Sequence, residues 1–94
     1  MSATLEEKTE RYERLLADGI DAAEPAGAPD SPLAAAAEEC LEMAEAYLDD
    51  GRHFRDADDP VNALAAFSYG HGWLDAAARI GVIDVPTESH LFTV

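Results

Sequence analysis

Apolar residues recur at three- and four-residue intervals along three stretches of the chain, and polar, proline- or glycine-bearing segments separate them. In the first stretch Leu5, Tyr12, Leu16 and Ala23 share a stripe, with Leu15, Gly19 and Ile20 beside it. This predicts a helix over about residues 3–23, running through Gly19 because the stripe persists beyond it, and ended by Pro25. The second opens at Ser31-Pro32, a strong N-cap followed by a proline suited to the first helical position. Its inner face is expected to hold Leu33, Ala36, Ala37, Cys40, Leu41, Ala44, Tyr47 and Leu48, with Glu38, Glu39, Glu42 and Glu45 outward. Phe54, seven residues beyond Tyr47, carries the stripe to about residue 56. Asp59-Pro60 repeats the capping device, and a third helix follows over 60–80 until Gly81 stops it.

Residues 24–31, with two prolines, a glycine and small side chains, read as a linker with nothing to bury, the part expected to move most. Residues 82–94 read as a non-helical tail. Val82, Ile83 and Val85 are β-branched, and Leu91-Phe92-Thr93-Val94 is apolar enough to dock on the bundle or on a neighbour. The pattern predicts an all-α, three-helix up-down-up bundle forming a single domain over 1–94. At about 1.5 Å per residue its helices are mutually matched, roughly 30–38 Å long.

Charge changes this picture. The chain carries 20 Asp and Glu against 6 Lys and Arg, a net −14, and its one lysine is Lys8. Such self-repulsion destabilises a small domain at low ionic strength, and molar salt, with a Debye length of about 3 Å, removes most of it. Acid-rich, lysine-poor and alanine-rich composition (19 alanines) points to the cytoplasm of an extreme halophile. The fold is accordingly expected to loosen below about 0.5 M salt. No basic patch exists for nucleic acid, and no apolar run approaches the length of a membrane span. Cys40 stands alone, so neither an internal disulfide nor a Cys-rich metal site is expected.

The third helix holds the densest chemistry. Tyr69, His71, Trp73 and Asp75 surround Gly70 and Gly72, which lie about 200° apart around the helix. Two readings compete: a close helix crossing at the glycines, or a shallow ligand site floored by glycine and walled by Tyr69, His71 and Trp73. His71 and Asp75 are four residues apart and can hydrogen-bond, but Ser68 is the nearest hydroxyl besides Tyr69, and no nucleophile completes a catalytic set. His53, His71, His90 and Cys40 show no metal-ligand spacing, and no cofactor motif is present. On the first helix, Glu7 with Arg11 and Glu10 with Arg14 are spaced for surface ion pairs.

Ala44-Glu45-Ala46-Tyr47-Leu48, His53-Phe54, Asp59-Pro60-Val61-Asn62-Ala63, Ser68 through Ala76 and Ile80-Gly81 together resemble an archaeal family called domain of unknown function 357. The resemblance covers most of the chain beyond residue 33. It implies a small left-handed three-helix bundle and no activity, so it brings no functional residues with it. The sequence therefore points to a non-enzymatic module that binds a protein partner or itself. The alternative is a small-ligand or enzymatic site around Tyr69, His71, Trp73 and Asp75.

Overall fold

In the computed structural model, which describes residues 4–86, the three expected helices are present: α1 Leu5–Ala22, α2 Pro32–Asp56 and α3 Pro60–Ile80. Local chemistry sets each boundary. Thr4 Oγ1 accepts from the Glu7 backbone N–H, Ser31 Oγ from that of Ala34, and Asp59 Oδ1 from that of Asn62. Gly81 closes α3 in the left-handed conformation, φ 88°, and its N–H bonds back to Ala77 and Ala78.

Contacts between helices give the topology. Gly51 abuts Phe67 and Tyr47 abuts Gly70, so α2 runs antiparallel to α3. Thr9 meets Pro60 and Leu16 meets Gly70, so α1 runs parallel to α3 and the bundle is up-down-up. The third helix packs extensively on both others, whereas α1 and α2 share a much smaller surface. Its inner stripe of Ala63, Phe67, Gly70, Leu74 and Ala77 is the spine of the core. Among the described residues only Phe67, Leu16 and Leu74 are large and fully buried, so the core is a close fit of alanines around a few big side chains.

Several expectations need correction. The 24–31 segment is not a bare linker. Glu24–Pro25 (β1) pairs antiparallel with Ile83–Asp84 (β2), the Ala26 N–H bonds the Val82 carbonyl at 2.9 Å, and Ala26 is buried. The start of the tail belongs to the core, since Val82 and Ile83 are buried and Val85 packs beside them. The apolar Leu91–Val94 segment lies outside the described residues. In α2, Ala34 rather than Leu33 or Ala36 turns inward; Leu33, 39% exposed, lies over Gly27 instead. Glu38, Glu39, Glu42 and Glu45 face outward as expected.

Candidate functional site

The outer surface of α3 gathers the aromatic candidates. A depression there is lined by Ser68, Tyr69, Gly72, Trp73 and Ala76, all from one helix, and it opens broadly to solvent. Helical spacing explains the grouping: residues three and four apart stack on one face, and Gly72 leaves a gap between the two rings. Tyr69 is 66% exposed, yet its ring rests on Tyr47 of α2, centroids 5.9 Å apart at 33°. Trp73 is 40% exposed, and an added Cβ on Gly72 would meet nothing within 4 Å.

His71 and Asp75 do not line this depression. They lie about half a turn around the helix from Tyr69, with His71 Nδ1 3.5 Å from Asp75 Oδ2 and both side chains mostly covered. The structure thus splits the proposed quartet into an exposed aromatic pair and a covered imidazole–carboxylate pair. The depression is floored by glycine and walled by aromatics as the ligand reading requires, but without the titratable pair and without enclosure. Small-molecule sites cover most of their ligand's surface, which a shallow indentation in one helix does not.

The two glycines part company as well. At Gly70 an added Cβ would stand 2.6 Å from Leu16 Cδ2 and 3.0 Å from Tyr47 Cβ, so α1 and α2 both meet α3 at close range there. Gly72 takes no part in that crossing. A comparable close approach at Gly51, where the Phe67 ring fills the space a side chain would need, was not foreseen. The sequence clue was its position inside a persisting apolar stripe.

Sequence reasoning also passed over Val61 and Ile80, which are 65% and 73% exposed. With Ala65, Tyr69, Gly72 and Ala76 they form a stripe at three- and four-residue intervals, opposite the buried one. The third helix therefore carries two apolar stripes, of which the bundle covers one.

A second hollow is lined mainly by ionisable residues. Glu6, Thr9, Glu10, Arg55, Asp58 and Pro60 line it where α1 meets the α2–α3 turn. Thr9, almost fully buried, donates from Oγ1 to the Leu5 carbonyl at 2.7 Å and approaches that of Pro60 at 3.5 Å. Beside it Glu13 accepts from Arg52 Nε at 2.7 Å and from Arg55 Nη1. Partial burial alone pushes the Glu13 carboxyl up, but hydrogen bonds and charge from Arg52 and Arg55 outweigh it and hold the pKa below the ordinary value. The Arg55 guanidinium is raised in turn, first by its hydrogen bond to Glu13. These pairs tie α1 to α2; Glu7–Arg11 and Glu10–Arg14 are not among the ion pairs of the described residues. Among the described residues no group of three or more His, Cys, Asp or Glu is placed to hold a metal ion. Nor is any described helix long and apolar enough to cross a membrane.

A family model described as a protein of unknown function (DUF357) matches residues 11–83, reaching back into α1 and forward into β2. No curated protein and no solved structure matches the chain.

Proposed function

Because the chain belongs to the DUF357 family, whose description assigns no activity, we propose from its own surface that it is a non-enzymatic protein-interaction or self-association module. The observation that carries this reading is the outer face of α3, where Val61, Tyr69, Trp73 and Ile80 remain open to solvent opposite the buried stripe. The composition supports an archaeal, halophilic origin and work in a salt-rich cytoplasm, where the acidic surface is screened. Nucleic acid is a poor partner for a chain of net −14. Light scattering in molar KCl, with co-purification from a halophilic host, tests the reading. It expects a complex or an oligomer; a strict monomer with no recoverable partner overturns it.

A second reading rests on the exposure of Trp73 beside the Gly72 gap. A small planar ligand stacked between Tyr69 and Trp73 would shift the tryptophan emission. Titration with metabolites and nucleotides tests it, and an unresponsive Trp73 removes it.

A further inference from the structure

We propose that the occupant of the outer α3 face is a second copy of this chain, packed helix against helix across Gly72; this rests on the interaction reading above and names its partner. Two independent observations meet at this face. The first is charge. The stripe from Val61 through Ala65, Tyr69, Gly72 and Ala76 to Ile80 carries no carboxylate, on a chain with 20 of them. Arg79 and Asp75 border it, three residues on from Ala76 and Gly72, with the Asp75 carboxylate turned toward His71. Exposed faces of α1 and α2 carry the acids, including Glu6, Glu7 and Glu10 on one and Glu38, Glu39, Glu42 and Glu45 on the other. Two copies of net −14 repel unless they meet where acids are absent. A basic partner would instead gain by covering the acidic faces, so an uncharged apolar stripe selects a partner with the same kind of stripe. A second copy has one by construction, and a two-fold axis brings the stripe onto itself.

The second observation is Gly72. A glycine inside a helix is destabilising relative to alanine, and what it offers in return is room for another chain to come close. Gly51 and Gly70 have such reasons within the chain: the Phe67 ring at one, Leu16 and Tyr47 at the other. Gly72 has none within 4 Å. It lies between Ser68 and Ala76 at four-residue spacing, so the three form a shallow lane flanked by the Tyr69 and Trp73 rings. A crossing helix can settle into that lane and place its own rings beside them. Val61, Tyr69, Trp73 and Ile80 are each only partly exposed, and a wholly exposed aromatic would offer about 150–250 Å², so the apolar surface is on the order of a few hundred Å² per copy. That is below the roughly 800 Å² per partner of a standard interface, so association is expected to be weak and dependent on concentration.

Sedimentation equilibrium of the full chain in 2 M KCl, from low micromolar to millimolar, is the test. It should be run beside Gly72→Glu, Phe92→Glu and acrylamide quenching of Trp73. The wild type is expected to pass from one to two copies, with Trp73 becoming less quenchable as it does. Gly72→Glu is expected to weaken association at least tenfold, without lowering helicity or the melting temperature measured in dilute solution. A helix-favouring residue in open space does not harm the monomer, so loss of the dimer there is not misfolding. Phe92→Glu should leave the dimer intact. A wild type that stays monomeric to millimolar concentration overturns the proposal. So does a dimer insensitive to Gly72→Glu, or one abolished by Phe92→Glu alone. A monomer that recovers a different protein through Trp73 also overturns it, while leaving the interaction reading standing.

Discussion

Gly51, Gly70 and Gly72 are the same residue in the same kind of backbone, yet each responds to an added methyl group according to what stands opposite. At Gly51 a Cβ would lie 2.3 Å from Phe67 Cε1 and 2.5 Å from Cδ1, and that ring is fully enclosed. Gly51→Ala is expected to destabilise by about 1–3 kcal/mol, the usual range for overpacking a tight core. At Gly70 the Leu16 methyl can swing aside, but Tyr47 Cβ at 3.0 Å cannot, so Gly70→Ala is expected to lose about 1 kcal/mol despite its better helix propensity. Gly72→Ala meets nothing and should gain about 0.5–1 kcal/mol in the dilute monomer. Urea unfolding of the three variants in one molar-salt buffer checks the order of signs. A gain at all three positions would mean that the helices do not approach one another as described. The sequence showed that Gly70 and Gly72 were unusual but could not tell them apart. Spacing places a residue on a face of its own helix and is silent on what the neighbouring helix brings there.

The elements were legible where their ends are written in local chemistry. Ser31-Pro32, Asp59-Pro60 and Gly81 act within a few residues of themselves, and α2 begins, and α3 begins and ends, where those signals put them. Replacing Ser31 with alanine is expected to cost about 1 kcal/mol through the lost bond to the Ala34 N–H, read as a lower melting temperature with unchanged helix content. What was not legible is non-local or lacks phase. The β1–β2 clasp joins residues 24–25 to 83–84, and no periodicity announces a pairing two residues long. In the run Ala34 to Ala37 side-chain size gives no clue to which alanine faces inward, and Leu33 drew the stripe to the wrong phase. The tie between α1 and α2 through Glu13 is non-local too. Its folded-state pKa is lowered, so its contribution is present above the ordinary carboxylate value of 4.5 and is lost as pH falls through the lower folded value. Glu13→Gln should therefore cost about 0.5–1 kcal/mol at pH 7, and the gap from wild type should close below about pH 4.5. Melting curves at pH 7 and pH 3, in the least salt that keeps both proteins folded, decide it. A gap that persists in acid would trace the loss to packing of the side chain instead.

At the scale of the whole molecule, two features leave stability to the solvent. Among the described residues large fully buried side chains are limited to Phe67, Leu16 and Leu74, so the core contributes less than its length suggests, and a net −14 is spread over a body 42 × 27 × 16 Å. At about 0.1 M salt the Debye length is roughly 10 Å, so carboxylates a turn or two apart on one face still repel, whereas those across the 16 Å thin dimension are largely screened. At about 1 M it is roughly 3 Å, and only adjacent charges feel each other. The melting temperature is therefore expected to rise steeply between about 0.1 and 1 M KCl and to flatten above that, since screening is then complete. Salt also strengthens apolar burial, which would give a continued rise instead of a plateau. Neutralising Glu38, Glu42 and Glu45 to glutamine separates the two effects, because these side chains are exposed and outward-facing. If repulsion sets the salt requirement, the triple variant melts higher than wild type at about 0.1 M KCl and the same at 2 M. If the two proteins differ equally at both concentrations, or wild type is already fully stable in dilute buffer, the acidic surface is not what ties this fold to salt.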